Sequence, residues 1–198
     1  MATRRRALLS VYNKAGLLSF ARELGPLGFD IIATGGTFTA LKAGGVPRVH
    51  PVPAVTGVPE LFNGRVKTLH PHVMGGILAL REKPEHAAEL ARRRITPIDM
   101  VVCNVCPLDA LDAGDLDLPT LLNHIDVGGP SLIRAAAKNF PHVIVVVHPE
   151  RYGSILRELR QYGDVRMATR SALALEAFKA TAAYDHAVYR LLQVFVAD

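Results

Sequence analysis

Hydrophobic positions along the chain switch between two spacings, and the switches mark the elements. Ala7-Leu8-Leu9-Ser10-Val11-Tyr12 is a short apolar run of strand length. Between Lys14 and Leu27, residues Leu17, Leu18, Phe20, Ala21, Leu24 and Leu27 recur at helical spacing, and Gly28 stops the pattern. Asp30 to Ala33 predicts a second strand, ending in Thr34-Gly35-Gly36-Thr37 and a helix through Ala43. Val49 to Val55 is apolar but proline-broken, which predicts an edge strand or an extended linker. Turn formers and cations make Thr56 to Pro71 mostly loop. Val73 to Leu80 predicts a strand weakened by Gly75-Gly76, and Pro84 to Arg94 an exposed helix. Asp99 to Asn104 predicts a strand, followed by a polar loop and a helix from Leu118 to His124. Ile125-Asp126-Val127-Gly128-Gly129-Pro130-Ser131 is a glycine turn leading into an alanine-rich helical run up to Asn139, with Pro130 or Ser131 able to open it. Val143 to Val147 is the most β-branched run, and helices follow over Arg151 to Gln161 and Met167 to Phe195.

Strands separated by helices predict an α/β domain with a mainly parallel central sheet flanked by helices. Ligands of such sheets bind beyond the carboxyl ends of the strands. That rule selects Tyr12-Asn13-Lys14, Thr34 to Thr37, and Cys103-Asn104.

Composition narrows the function classes. The 198 residues make one domain, 49% hydrophobic and 21% charged, as in a soluble chain with a sizeable core. A formal charge of +5 suits an anionic small molecule as well as nucleic acid. The triplets Arg4-Arg5-Arg6 and Arg92-Arg93-Arg94 read as solvated ends of elements, so nucleic acid is not the predicted partner. The apolar run after Arg6 is too short for a secretion signal, and no run approaches a membrane span. Two cysteines are no disulfide framework, and the predicted setting is a reducing cytoplasm.

Four stretches carry candidate chemistry. Thr34-Gly35-Gly36-Thr37, at a strand-to-helix junction, can cradle a phosphate or carboxylate, with Lys14 one strand over as a point charge. The alternative is a plain tight turn with Thr37 as helix cap. Arg65-Val66-Lys67-Thr68-Leu69-His70-Pro71-His72 is the densest cationic loop, and on an extended backbone Arg65, Lys67 and Leu69 would share one side. Its use is anion or substrate binding; its histidines have no second ligand cluster, so no metal is expected. Cys103-Asn104-Val105-Cys106 has the CxxC spacing but neither a partner pair nor a following helix start, which argues against zinc and a redox dithiol. Asp126 and Lys138 bracket the Gly128-Gly129 turn with an acid and an ammonium, and the free N–H groups there favour a developing oxyanion.

Taken together, Ser10 to Gly16, Thr34 to Thr37, Gly64 to Pro71, Cys103-Asn104 with Pro107, and Asp126 to Gly129 through Ala135 to Asn139 resemble the inosine monophosphate (IMP) cyclohydrolase domain of the AICAR transformylase/IMP cyclohydrolase family. The resemblance runs from about Arg6 to Tyr189. It implies a methylglyoxal-synthase-like fold, a three-layer sandwich. It also implies closure of 5-formamidoimidazole-4-carboxamide ribotide (FAICAR) to IMP with loss of water, without a metal or organic cofactor. By the same resemblance, phosphate and ribose are held by Tyr12, Asn13, Lys14, Thr34, Gly35, Gly36, Thr37, Arg65, Lys67 and Thr68. The base is held by Cys103, Asn104, Asp126, Val127 and Gly128, and Lys67, Asp126 and Lys138 carry the catalytic roles. A homodimer and a fused or separate AICAR transformylase are the implied protein partners.

The chain departs from that family at three places. Cys106 stands where the family has a catalytic tyrosine, Tyr12-Asn13-Lys14 replaces Ser-Asp-Lys, and Glu176 to Ala182 replaces a Lys-Ala-Phe…His-Thr-Ala run. Two other readings remain open: a nucleotide-binding or regulatory module of the same fold with weak or no turnover, and a lyase like methylglyoxal synthase. At the chain's end, packing on the domain's own sheet is predicted out to Tyr189, with a self-contact or partner contact for Leu192 to Phe195.

Overall fold

The computed structural model describes residues 4–108 and 117–195. A five-stranded, fully parallel sheet lies at its centre in the order β3-β2-β1-β4-β5. Its strands are β1 (Arg5–Val11), β2 (Phe29–Ala33), β3 (Val49–Pro51), β4 (Met100–Asn104) and β5 (Ile144–Val146). Both faces are covered, which is why the strands read as continuous apolar runs instead of alternating ones. On one face α1 (Leu17–Leu24) and α2 (Gly35–Ala43) pack on β1 to β3, and α8 (Tyr152–Tyr162) packs on α1. On the other, α4 (Pro71–Leu78), α7 (Gly128–Lys138) and α9 (Met167–Gln193) form a packed row over β4 and β5. The remaining helices are α3 (Pro53–Thr56), α5 (Pro84–Arg92) and α6 (Leu118–His124). The parallel α/β sheet flanked by helices is as the pattern predicts, and its three layers are as the resemblance implies. No helix among the described residues is long and apolar enough to cross a membrane.

Where element and expectation differ, local chemistry explains it. The run from Val73 to Leu80 is helical. Pro71 occupies the first turn, where its missing N–H costs nothing, and the His70 side chain caps that turn by accepting from His72 N at 3.1 Å. Val73 and Ile77, four apart, are the buried pair. Gly76 is a packing glycine, since a Cβ there would stand 2.8 Å from the Thr96 carbonyl oxygen. Helix α1 begins three residues later than its apolar spacing suggests because Gly16 turns at φ 66°, beneath the Tyr152 ring. Val49 to Val55 is an edge strand for only three residues before α3 begins at Pro53. The polar loop expected after β4 lies largely outside the described residues.

The end of α9 also differs. Through Ala177 its buried side chains belong to the core around the sheet. Tyr184, Ala187 and Leu191 leave that core and join Leu108 and Leu121 in a second, smaller one. Leu192 and Phe195 are partly buried against this cluster, so they are covered within the chain itself, whereas Tyr189 and Val194 are exposed.

The amino ends of the strands are closed by ion pairs: Arg81–Asp99 at 2.6 Å, Arg4–Asp30 at 2.8 Å and Arg170–Asp164 at 2.8 Å. Arg5 stacks over Phe29, and Arg92 and Arg93 pair with Glu89. Arg4 and Arg5 therefore serve the fold, while Arg92 and Arg93 lie on an exposed helix end, as expected.

Burial, and then the neighbouring His72 charge, lower the pKa of His70 from its usual 6.5. A lowered value means the unfolded chain takes up the proton more readily. Stability is therefore complete above pH 6.5 and falls as acid protonates His70 and removes its capping lone pair. Replacing His70 by Asn, which caps without titrating, should flatten the loss of melting temperature between about pH 7 and 5 relative to the native chain. Parallel curves for the two proteins would show that His70 does not govern this helix start.

Candidate active site

The strand order places a topological switch between β1 and β4, since the chain leaves β1 toward β2 on one side and returns to β4 on the other. Crevices open at the carboxyl ends of strands at such points. Here Asn104, the last residue of β4, ties the two strand ends together. Its carbonyl accepts from Tyr12 N at 3.3 Å, and its Oδ1 accepts from Asn13 N at 2.8 Å. A cavity of about 220 Å³ opens beside this tie, lined by Ser10, Tyr12, Lys14, Thr34, Gly36 and Thr37 on one side and Asn104, Cys106 and Asp126 on the other. A mostly apolar cavity of about 310 Å³ adjoins it across Asn104 and Val105.

The Thr34 to Thr37 turn divides its labour. Thr37 is buried, and its hydroxyl accepts from Val11 N at 3.0 Å and donates to Val11 O at 3.2 Å. It pins α2 to β1 and does not cap the helix, although Thr37 still lines the cavity. The Thr34 hydroxyl donates to Ser10 Oγ at 2.9 Å. Among the described residues no side chain caps α2, and Gly35 and Gly36 are exposed. The backbone of this helix start thus offers uncapped N–H groups to an anion.

The cationic loop is not an extended run. Phe62, Asn63 and Gly64 take positive φ, and a Leu61–Val66 bridge closes the turn. Alternation therefore does not apply: Arg65 turns toward α6, donating to Asn123 Oδ1 at 2.5 Å, while Lys67 Nζ lies 4.0 Å from Glu60 Oε2. Glu60 Oε1 in turn lies 3.5 Å from where a Cβ on Gly35 would stand. Glu60 thereby bridges Lys67 to the α2 start. Sequence reasoning missed it, because a lone acid in an aperiodic loop carries no signal. The imidazoles of His70 and His72 serve the start of α4, His72 Nδ1 lying 3.1 Å from Val55 O.

Thr68 is buried, and its Oγ1 would stand 3.1 Å from a Cβ at Gly128. The cationic loop is thereby laid against the start of α7. There Asp126 Oδ1 accepts from Gly129 N at 3.0 Å, while Asp126 N donates to the Tyr184 hydroxyl at 2.7 Å. Helix α7 begins at Gly128, two residues earlier than the proline suggests, because Pro130 falls within the first turn, where no N–H is needed. Cys103 is fully buried with its thiol against Gly129 O, and burial, reinforced by the Asp126 charge, raises its pKa far above the ordinary range. Cys103 is thus an inert packing thiol, and Cys106 alone of the pair reaches the cavity.

Lys138 does not join this group. It ends an eleven-residue helix that starts at Gly128, and a helix of that length spans about 15 Å. Helices α4 and α7 run side by side, with Thr68 beside Gly128 at one end and Asn139 Nδ2 on the Ile77 and Ala79 carbonyls at the other. The lysine expected to share the cavity with Asp126 therefore stands at the opposite end of α7, exposed. Val127 is 61% exposed, and neither it nor Arg65 lines the cavity.

Comparison with known proteins matches this geometry to a family. A profile of the MGS-like domain covers residues 16–131, and one described as AICARFT/IMPCHase bienzyme covers residues 136–197. The chain belongs to the MGS-like domain family. It is 45% identical over 188 residues to the bifunctional purine biosynthesis protein PurH of Persephonella marina, covering 95% of this chain and 36% of that protein. With PurH of Thermosynechococcus vestitus the identity is 48% over 191 residues, covering 96% of this chain and 37% of the relative. The chain thus spans little more than a third of the length of these relatives. The crystal structure of ForH is similar at a TM-score of 0.84 and 38% identity, covering 96% of this MGS-like chain and 99% of that one.

Thr37→Val should test the structural role of that hydroxyl. It removes both bonds to Val11 from a buried site and should cost about 1–3 kcal/mol of stability, whereas Thr37→Ser should cost much less. Equal denaturant midpoints for Val and native chains would return the hydroxyl to the list of ligand contacts.

Proposed function

We propose that this MGS-like chain is an IMP cyclohydrolase that closes FAICAR to IMP. The observation that supports the reading best is the convergence of an uncapped helix start, a lysine and a carboxylate on one crevice: α2, Lys14 and Asp126. The nucleotide phosphate takes the α2 start with Lys14 and Lys67 as counter-charges, displacing Glu60 from Lys67. The base lies toward Asn104, Cys106 and Asp126.

Ring closure then asks little of the protein. The carboxamide nitrogen attacks the formyl carbon and gives up a proton to the Asp126 carboxylate. The formyl oxygen becomes an oxyanion, which the free N–H groups at the start of α7 stabilise; the Gly129 N–H is already committed to Asp126. The oxyanion takes up the proton held by Asp126 and becomes a hydroxyl. That hydroxyl leaves as water with a second proton from the Cys106 thiol, while the former formamide N–H gives its proton to the thiolate as the C=N bond forms. Substrate must come from an N-formyl transfer to the 5-amino group, the reaction of a transformylase that is fused to this domain or separate from it. A setting in the cytoplasm and pairing with a second copy are part of the same reading.

Incubation of the purified chain with FAICAR should produce the IMP absorbance. Asp126→Asn keeps an acceptor for Gly129 N but loses the base, so it should slow closure by about 10²–10⁴-fold with little change in melting temperature. Near-native turnover by that variant would remove Asp126 from the chemistry.

IMP should also raise the melting temperature far more than inosine, because only the nucleotide carries the phosphate. Equal shifts would remove the phosphate cradle. The second reading, a nucleotide-binding module without turnover, is favoured by the thiol of Cys106 at the place of the family's phenol. It predicts the IMP shift without any ring closure.

A further inference from the structure

The last third of α9 makes contacts that covering the sheet does not require. Tyr184, Ala187 and Leu191 form their small core with Leu108 and Leu121, and Ile125 packs against it from the approach to the site. Tyr184 is 6% exposed, and its oxygen is the acceptor for Asp126 N–H at 2.7 Å. One residue on, Asp185 pairs with Arg134 of α7 at 3.3 Å. Asp126 is thereby held twice, at its backbone from α9 and at its carboxylate from the Gly129 N–H of α7. Burial raises the phenol's pKa, the hydrogen bond from the Asp126 backbone offsets part of the rise, and nearby negative charge, Asp126 first, adds to it, so the hydroxyl stays protonated near neutral pH.

We propose that Tyr184 is a positioning residue for the cavity at the β1–β4 crevice: its hydroxyl sets the Asp126 backbone so that the carboxylate is presented to substrate. Its effect on rate rests on the cyclohydrolase reading; its effect on the turn does not. A phenylalanine at this position keeps the ring in the small core and removes only the acceptor. If Tyr184 served packing alone, that change would be silent at Asp126.

The test compares the native chain, Tyr184→Phe, Asp126→Asn and the double variant. In Tyr184→Phe, kcat for ring closure should fall about tenfold or more while KM moves less, because a carboxylate misplaced by about 1 Å can cost up to about 10²-fold. On the Asp126→Asn background the same change should add almost nothing, since both act through one group. Hydrogen exchange at the Asp126 amide should quicken in Tyr184→Phe while melting temperature stays close to native. Native kcat together with native amide exchange would overturn the proposal, as would full additivity in the double variant. If the native chain closes no ring, the cyclohydrolase reading fails. Amide exchange and the IMP-induced melting shift of Tyr184→Phe against the native chain then still decide the positioning role. Unchanged values in both would end it.

Discussion

A Cβ at Gly129 would stand 2.4 Å from Asp126 Oδ2 and 2.9 Å from Val105 Cγ1, closer than any side chain can be accommodated. Only bare backbone can pass there, and the rest of the site depends on that passage. It lets the Gly129 N–H of α7 close on the Asp126 carboxylate. It seats the buried Cys103 thiol against the same turn, and beside it Thr68 draws the cationic loop in. A residue as small as alanine would push Asp126 away from the helix that holds it, and with it the strand-to-helix geometry beyond β4.

The two ends of the sheet are built on opposite electrostatic principles. At the amino ends, Arg4, Arg81 and Arg170 all meet carboxylates at under 3 Å, and the backbone of Arg6 is bonded to Asp99. The charges of these side chains are spent on one another. At the carboxyl ends α2 begins without a side-chain cap among the described residues, and Asn104 spends its side chain on holding two strand ends together. Charge pairing is gathered at one rim and uncapped backbone at the other, beside the crevice that a parallel sheet opens at its switch point.

Much of this was legible in the chain because it depends on local pattern. All five strands follow from apolar runs, and the crevice residues Tyr12 to Lys14, Thr34 to Thr37 and Asn104 follow from where those runs end. What escaped depends on long-range contact. The run from Val73 to Leu80 is apolar enough for a strand, and only the His70–Pro71 start and the packing of Gly76 on Thr96 make it a helix. Thr37 looks like a ligand in sequence and is a pin in space. Lys138 sits twelve residues after Asp126, near in the chain, yet a rigid helix turns that nearness into distance. Tyr184 had no pattern to announce it, because its partner Asp126 lies in another element, and Glu60 had none because its loop is aperiodic.

Glu60 gives the phosphate cradle a character of its own. With this carboxylate beside the α2 start and 4.0 Å from Lys67 Nζ, the positive end of the helix and the lysine already have a resident counter-ion. On the proposed function, an incoming phosphate swaps one anion for another. Its affinity reflects a difference between two partners, with the dianion favoured by its greater charge and the carboxylate by its tether. In that proposal, weakly charged ligands compete poorly with the resident carboxylate, a selectivity that needs no further contact.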